Sequence, residues 1–322
     1  MGRTEGAVGA ADACPLCGSG GGAVQGTWRY DDIWAALEAE FGTRFTAEQR
    51  RRLSPADSTE LVRCGQCGLD RFHPAVAGDA GFYESLSASE RYYESDRWEF
   101  HVARELVGDG DVVVDVGAGR GHFLRSLGAG VHRFAVETNP AAARDLRAAG
   151  VEVGDGPGVM APGVRADLTV FFQVLEHLEH PADHVRAFLP AVAVGGRVVV
   201  SVPNRDRIRP RDIEPLDLPP HHLTRWSAAQ LRVLGAALGL HLEEIRFEPP
   251  DESRANVALT QQLLGRYARL GGLAEPAMRL HRKVAMWPAV YRAQRRSDRL
   301  LEAGCTGHTM LAVYRAERCA AP

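Results

Sequence analysis

The chain has 322 residues, of which 45% are hydrophobic and 25% charged, and these proportions are ordinary for a soluble globular enzyme. A formal net charge of −3 argues against nucleic acid as a partner, because nucleic-acid-binding surfaces usually need a basic face. No apolar run approaches the roughly 20 residues of a membrane-spanning helix, and the N-terminal residues lack the apolar stretch of a secretory signal. We therefore expect a cytoplasmic protein without membrane contact.

Two short cysteine motifs lie near the start of the chain. The segments CPLCG and CGQCG, residues 14–18 and 64–68, each hold two cysteines separated by two residues and followed by glycine. Tetrahedral zinc takes four thiolates in this spacing, and a site closed by four cysteines has a structural role. The alternatives are unliganded thiols or a redox pair, which are less favoured because two such motifs seldom arise together by chance. We predict a structural Zn²⁺ bound by Cys14, Cys17, Cys64 and Cys67.

The periodicity along the chain predicts the order of its elements. Between the cysteine motifs, YDDIWAALEAEFG places its apolar side chains on one helical face, and residues 82–107 also read as helices. From residue 111 onward, short apolar runs alternate with helical segments, which predicts a parallel sheet covered on both faces. The predicted organisation is a zinc-binding module at 1–80, a helical linker or cap over the ligand pocket at 81–110, an α/β core at 111–250, a helical insertion at 251–304 and a final strand with its tail at 305–322. We expect the insertion to form a lid or the contact of a homo-oligomer.

A glycine-rich turn follows the first strand of this core. In VVVDVGAGRGHFL, residues 112–124, a β-branched strand passes through Asp115 and then gives three glycines at alternate positions. Ligands of open α/β sheets bind beyond the carboxyl ends of the strands, and Glu137 lies at the end of the second strand, where a carboxylate can accept both hydroxyls of a ribose. The turn therefore predicts a nucleoside site, with a tight structural turn as the alternative.

The glycine spacing separates two kinds of nucleoside. Dinucleotide-binding turns have the spacing G-x-G-x-x-G, which lets a helix N-terminus meet a pyrophosphate. Here the spacing is G-x-G-x-G, and Asp115 would repel a pyrophosphate but would suit a ligand that carries an ammonium group. An NAD-dependent dehydrogenase is therefore the less favoured enzyme class.

Several ordered motifs resemble those of class I S-adenosylmethionine-dependent methyltransferases. The resemblance continues from the glycine turn through AVETNP at 135–140, FFQVLEHLEHP at 171–181, GGRVVVSVPN at 195–204 and LPPHHLTRWSAAQL at 218–231. The most similar group includes ubiquinone-biosynthesis enzymes and many sugar and natural-product methyltransferases, some of which carry a similar N-terminal zinc module. The resemblance implies a Rossmann-like, doubly wound sheet of seven strands with an antiparallel last strand, and S-adenosyl-L-methionine as cofactor.

The resemblance also implies which residues hold this cofactor. Asp115 would support the amino group, and Glu137 would hold the ribose. Asp155 would flank the adenine, and Gln173 would line the methionine side. The turn that passes close to the methionine portion comprises Gly117, Ala118, Gly119 and Gly121.

The chemistry of methyl transfer points to a few candidate catalytic residues. Transfer from a sulfonium is an in-line displacement that depends mainly on orientation, with a base only where the acceptor must lose a proton. Candidate bases lie on loops at strand ends, namely His221 or His222 in PPHHL and His177 in EHLEH. In sugar C-methyltransferases of similar sequence a histidine in the PPHHL region serves as base, and the hydroxyl of Tyr93 could orient an acceptor oxygen. The alternative for each histidine is a hydrogen bond that orders the loop or caps a helix.

Further alternatives concern metal and acceptor. Glu176 and His180, at helical spacing, could form a metal site with the PPHHL histidines, although Pro181 would interrupt such a helix at once. The predicted acceptor is a small molecule, a sugar or other specialised metabolite, methylated on oxygen, carbon or nitrogen. From other classes, the chain could be a zinc-module binding protein whose methyltransferase fold has lost activity, or an enzyme that methylates a macromolecule presented to the zinc module.

Overall fold

The computed structural model describes residues 13–89, 92, 96–207, 213–249 and 307–317. The strands are β1 Gly22–Arg29, β2 Ser58–Cys64, β3 Asp70–His73, β4 Val112–Val116, β5 His132–Val136, β6 Glu152–Gly154, β7 Ala166–Phe172, β8 Val192–Pro203, β9 Thr224–Arg225, β10 His241–Phe247 and β11 Thr309–Arg315. The helices are α1 Tyr30–Phe41, α2 Ala47–Leu53, α3 Ala80–Ser87, α4 Trp98–Arg104, α5 His122–Arg125, α6 Pro140–Ala148, α7 Pro181–Phe188 and α8 Ala228–Leu238.

The chain divides into two compact units. The first comprises Met1–Arg205, Arg211–Arg246 and Thr309–Pro322, and the second comprises Asp206–Pro210 and Phe247–His308. All site residues discussed below belong to the first unit. The predicted insertion at 251–304 lies outside the described residues, as does Tyr93.

Seven strands form the central sheet, in the order β10-β11-β8-β7-β4-β5-β6. Parallel pairs join β4 to β5 and β7, β5 to β6, and β7 to β8, whereas β11 runs antiparallel to β8. Successive residues of β4 face opposite sides, because Val113 and Val114 belong to separate apolar clusters. The predicted Rossmann-like sheet, with its antiparallel last strand, is therefore confirmed.

Capping residues close in sequence set the ends of two helices that connect strands of this sheet. The side chain of Asn139 accepts hydrogen bonds from the first backbone amides of α6, which starts at Pro140, and Ser227 forms a capping box with Gln230 at the start of α8. Gly239 ends α8 in the left-handed conformation. The sequence predicts these two helices at 139–150 and 227–239, in agreement with the structure. The helix predicted from about residue 121 is only four residues long.

A second sheet contains β1, β2, β3 and β9 in that order, with every neighbouring pair antiparallel. Its fourth strand, Thr224–Arg225, comes from the part of the chain predicted as α/β core and pairs with β3 through Asp70 and Arg71. The sheet of the cysteine module is thus completed by residues distant in sequence. An apolar cluster packs against this sheet and contains aromatic rings, with the Trp34 and Phe45 ring centroids 4.9 Å apart.

None of the helices in the described ranges is both long enough and apolar enough to cross a bilayer.

Candidate functional site

The glycine turn after β4 adopts backbone conformations that residues other than glycine rarely adopt. Gly117, Gly119 and Gly121 have φ angles of 77°, 53° and 72°, all in the left-handed region that favours glycine. A Cβ atom built on Gly117 would lie 2.7 Å from Val174 Cγ2, and one built on Gly121 would overlap Leu146 Cδ2. The turn therefore needs glycine for both its backbone conformation and its packing.

Two carboxylates flank this turn. Glu137 follows β5 and accepts hydrogen bonds from the backbone amides of Gly119 at 2.7 Å and Asn139 at 2.6 Å. Asp115 is buried at the end of β4, where burial and, after it, the charge of Glu137 raise its pKa to about 8, while Arg97 works in the opposite direction. A cationic ligand beside the buried Asp115 would favour the ionised form of its carboxyl group. The arrangement therefore fits the ammonium group expected of S-adenosylmethionine.

Gln173 closes the same edge of the sheet. Its φ of 54° lies in the left-handed region, the single such case outside glycine in the described ranges. Its backbone N–H donates to the backbone oxygen of Ser201 at 3.0 Å, and its side-chain Nε2 lies 3.4 Å from Glu99 Oε1. Strained backbone of this kind is often found at functional sites, in keeping with the predicted place of Gln173 beside the cofactor.

Asp155 and Ala118 occupy the rim of the turn. Asp155 is exposed directly after β6, and its neighbour Gly154 accepts a backbone hydrogen bond from Glu137 at 3.1 Å. Ala118 is partly buried between two glycines, with its amide 3.4 Å from Val136 O. Their predicted contacts with the cofactor stay predictions.

Three predicted histidines come together beyond β7. His177 ends a 3-10 turn at Leu175–His177, and His221 and His222 lie on the proline-rich loop that precedes β9. The ring centroids are 4.6 Å apart for His177 and His221, 4.8 Å for His177 and His222, and 4.4 Å for His221 and His222. We call these three residues the histidine cluster.

Hydrogen bonds assign different roles to two of these rings. His221 Nδ1 donates to Leu216 O at 2.8 Å, so its Nε2 accepts from the Tyr92 hydroxyl at 3.1 Å. His177 Nδ1 donates to His221 O at 2.7 Å and lies 3.1 Å from the Tyr83 hydroxyl. Burial, reinforced by neighbouring histidine charge, lowers the pKa of His177 to about 3 and that of His221 well below its ordinary value. Both rings are therefore neutral at pH 7.

A buried glutamate faces the other side of the cluster. Glu176 is 1% exposed, and neither of its carboxylate oxygens accepts a hydrogen bond of ordinary geometry from a described residue. Its Oε1 atom lies 4.0 Å from His177 Nε2 and 3.9 Å from His222 Nε2, and His222 Nδ1 lies 3.8 Å from Asp217 Oδ1. Burial raises the pKa of Glu176 to about 8. The Nε2 atoms of two histidines thus face one unsatisfied carboxyl group.

The four predicted cysteines also converge. Cys14 Sγ lies 3.5 Å from Cys67 Sγ, and Cys17 Sγ lies 3.7 Å from Cys64 Sγ. Thiolates placed tetrahedrally around zinc at about 2.3 Å are separated by about 3.8 Å. Although burial opposes it, hydrogen bonds from Ser19 and from backbone amides lower the pKa of Cys64 to about 6, whereas burial raises the pKa of Cys14 and of Cys67. The donor set and its spacing fit zinc.

The cysteine module contacts the segment that carries the histidine cluster. Phe72 N donates to Leu223 O at 2.9 Å, and Leu223 N donates to Glu176 O at 2.7 Å. Near the second cysteine motif, Arg205 Nη1 donates to Gly68 O at 2.7 Å. A continuous run of backbone contacts therefore joins the cysteine module to the turn that holds Glu176.

Sequence reasoning missed several members of this site. Tyr83, Glu99 and Asp217 contact predicted residues but belong to no motif, and only tertiary packing brings them into place. His180, which helical spacing paired with Glu176, is exposed at the start of α7 and does not belong to the cluster that surrounds Glu176.

Comparisons with known proteins agree with this architecture. Residues 90–245, just under half of the chain, match the family described as Methyltransferase domain. No curated protein matches the sequence closely enough to count as a relative.

The solved structures that match the chain share little sequence with it. The complex between the Haloferax volcanii Trm112 methyltransferase activator and a methyltransferase matches at 18% identity, over 74% of this chain and 96% of that chain, with a TM-score of 0.44. Coclaurine N-methyltransferase matches at 13% identity, over 67% and 70% of the two chains, with a TM-score of 0.42. N-methyltransferase NodS from Bradyrhizobium japonicum matches at 13% identity, over 68% and 93%, with a TM-score of 0.40. Residues 90–245 therefore match a methyltransferase domain, and the seven-stranded sheet has the Rossmann-like order that the sequence predicts for such a domain.

Proposed function

We propose that this enzyme transfers the methyl group of S-adenosylmethionine to a small-molecule acceptor, a sugar or other specialised metabolite. The observation that carries the proposal is the glycine turn flanked by the carboxyl groups of Asp115 and Glu137 at the end of β4. A pyrophosphate would meet two like charges there, whereas a sulfonium nucleoside with an ammonium group is attracted by them.

Each predicted cofactor residue has a role in this proposal. Asp115 holds the ammonium group of the cofactor, and Glu137 receives the ribose hydroxyls through lone pairs that its two backbone hydrogen bonds leave available. Gln173 bounds the methionine side, and Asp155 lies beside the adenine. The turn formed by Gly117, Ala118, Gly119 and Gly121 brings backbone close to the methionine portion.

The histidine cluster is proposed as the place where the acceptor loses its proton. His177 and His222 are the candidate bases, since methyl transfer to a hydroxyl or a carbon acid needs a neighbouring proton acceptor. His221 is a positioning residue instead, because both its ring nitrogens are engaged by Leu216 and Tyr92. Tyr93 is proposed from the sequence alone as a group that orients the acceptor oxygen.

The four cysteines are proposed to bind one structural Zn²⁺. Four thiolates fill the coordination sphere of the zinc and leave no open position for a substrate. The ion stabilises a small module by linking its two cysteine motifs. Thiolate ligands of this kind persist in reducing compartments, so we also propose a cytoplasmic location. A homo-oligomer formed through residues 251–304 is a further proposal from the sequence.

Calorimetry with S-adenosylhomocysteine tests the cofactor site. Glu137→Gln should weaken binding about tenfold or more, because about 1.4 kcal/mol is lost when charged hydrogen bonds to the ribose become neutral. Glu152→Gln is the matched control, since Glu152 is an exposed acid on the adjacent strand β6 and should leave the affinity unchanged. Equal affinity of the Glu137 variant and the wild type would contradict the ribose assignment.

A further inference from the structure

Asp70 is a fully buried acid beside the second cysteine motif. It begins β3 shortly after Cys67, and its side chain has no exposed surface. A buried carboxylate is stable only where cations or hydrogen-bond donors compensate its charge. The donors around Asp70 come from two different parts of the chain.

The first donor, Arg63, belongs to the cysteine module itself. Its Nε and Nη2 atoms donate to the two carboxylate oxygens of Asp70 at 2.7 Å and 2.9 Å, and the two residues are register partners in the hairpin of β2 and β3. The second cysteine motif forms the turn of this hairpin. Because a bidentate pair of this kind orients a carboxylate well, one guanidinium is enough to close the hairpin.

A second guanidinium reaches Asp70 from the α/β core. Arg205 comes shortly after β8, and its Nη1 atom lies 3.2 Å from Asp70 Oδ2 and donates to Gly68 O at 2.7 Å. The side chain of Arg205 is only 11% exposed, so water screens this ion pair weakly. Separating a buried ion pair leaves each charge without compensation, and the contact therefore fixes the two segments relative to each other.

Arg205 is also bound to the end of the loop that carries His221 and His222. Its backbone N–H donates to Trp226 O at 2.7 Å, and Trp226 directly follows β9. Asp70 pairs with Arg225 of β9 through its backbone. Asp70 therefore holds the end of this loop directly through its backbone and, through Arg205, with its side chain.

We propose that Asp70 is a positioning residue for the histidine cluster, because its contact with Arg205 makes the order of the histidine loop depend on zinc at the cysteines. The inference rests on the proposed function for the zinc and for the role of the histidines. Cys64 and Cys67 lie in the turn between Arg63 and Asp70, so an ion that fixes this turn also fixes the carboxylate that Arg205 contacts. Without the ion, the turn loses its link to the first cysteine motif and holds the carboxylate less firmly.

The cofactor turn should not respond to this change. It is held by β4, β5 and α6, and the contacts of Asp70 described above reach none of these elements. Zinc loss should therefore loosen the histidine loop while leaving the affinity for S-adenosylhomocysteine unchanged.

Hydrogen exchange measured by mass spectrometry on the full-length protein tests the inference. With zinc bound, Asp70→Asn should accelerate exchange at residues 218–226 by about tenfold or more and leave residues 112–136 unchanged. Removing zinc from the wild type with a chelator should have a similar effect at 218–226. Removing it from Asp70→Asn should add less than about threefold, because the link is already broken. Glu60→Gln, an exposed acid on β2, is the matched control and should exchange like the wild type.

Arg205→Gln breaks the same link from outside the cysteine module. It should reproduce the faster exchange at 218–226 while keeping the zinc, and the double variant with Asp70→Asn should exchange no faster than either single variant. If Asp70→Asn does not fold, Arg205→Gln with and without zinc provides the same comparison. The inference is overturned if the substitutions leave exchange at 218–226 unchanged, or if zinc removal accelerates it by the same factor in the variants and the wild type.

Zinc content and S-adenosylhomocysteine affinity are measured on the same samples. A wild type without zinc would contradict the proposed zinc site and the inference with it, and a wild type without affinity for S-adenosylhomocysteine would contradict the proposed cofactor site. A protein that binds both, but whose histidine loop is insensitive to Asp70, would contradict the inference alone.

Discussion

Gly121 is the position in the glycine turn where a side chain should be least tolerated. Its φ of 72° lies in the left-handed region, and a Cβ atom there would overlap Leu146 Cδ2 of α6. A left-handed conformation costs a non-glycine residue about 1–2 kcal/mol, and an extra methyl group in a packed core costs about 1–3 kcal/mol. We therefore expect Gly121→Ala to lower the free energy of unfolding by about 2–5 kcal/mol.

Two other glycines separate these contributions. Gly150 has a φ of 78°, but a methyl group added to its Cα would have no atom within 4 Å, so Gly150→Ala should show the backbone strain alone, about 1–2 kcal/mol. Gly128 has neither feature, and Gly128→Ala should change stability by about 0.5 kcal/mol or less.

The assay is urea unfolding followed by circular dichroism, with S-adenosylhomocysteine affinity measured beside it. The expected order of destabilisation is Gly121→Ala, then Gly150→Ala, then Gly128→Ala, and only the first should also weaken binding. If Gly121→Ala is no less stable than Gly150→Ala, the overlap with Leu146 is not a real constraint and the reasoning from packing fails.

Three further outcomes are expected. Cys64→Ser should lower the zinc content from about one ion per chain to near zero and reduce the Tm, as measured by metal analysis and thermal melting; an equally stable zinc-free variant would refute the structural role. In the unliganded protein, Asp115 has a folded pKa of about 8 against an ordinary 3.8, so the folded state holds this proton more tightly and the free energy of unfolding should fall as the pH rises from about 4 to 8. Asp115→Asn should flatten that part of the pH dependence in urea titrations, and an unchanged slope would mean that Asp115 is ionised in the folded protein. Tyr92→Phe removes the hydroxyl that donates a hydrogen bond to His221 Nε2 and should lower the free energy of unfolding by about 0.5–1.5 kcal/mol. An unchanged free energy of unfolding would show that this hydrogen bond is absent in solution.

The sheet and the glycine turn were predictable because they depend on local patterns. The β-branched run before Gly117 forms β4, and the acid that follows the next strand lies beside the turn, where its carboxylate binds the amide of Gly119. Asn139 and Ser227 cap helices at the predicted positions. Each of these features is set by residues close to one another in sequence, so a single sequence is enough to place them.

The geometry around Glu176 could not be predicted in the same way. Helical spacing paired Glu176 with His180, but residues 175–177 form a 3-10 turn and α7 starts only at Pro181. The atoms that face Glu176 belong instead to its chain neighbour His177 and to His222, which reaches it through a proline-rich loop without periodicity. Histidines could be identified as candidates by residue type, whereas their partners depend on how that loop packs against the end of β7.

The two-residue strand β9 links the cysteine module to this loop. Its pairing with β3 continues into the hydrogen bond from Phe72 to Leu223, and Leu223 in turn binds the backbone of Glu176. A strand of two residues contributes little stability alone, so the position of β9 depends on the sheet to which the cysteine motifs are attached. Zinc at the cysteines would therefore stabilise the loop of the histidine cluster as well as its own module, while the glycine turn is positioned by β4, β5 and α6 independently of it.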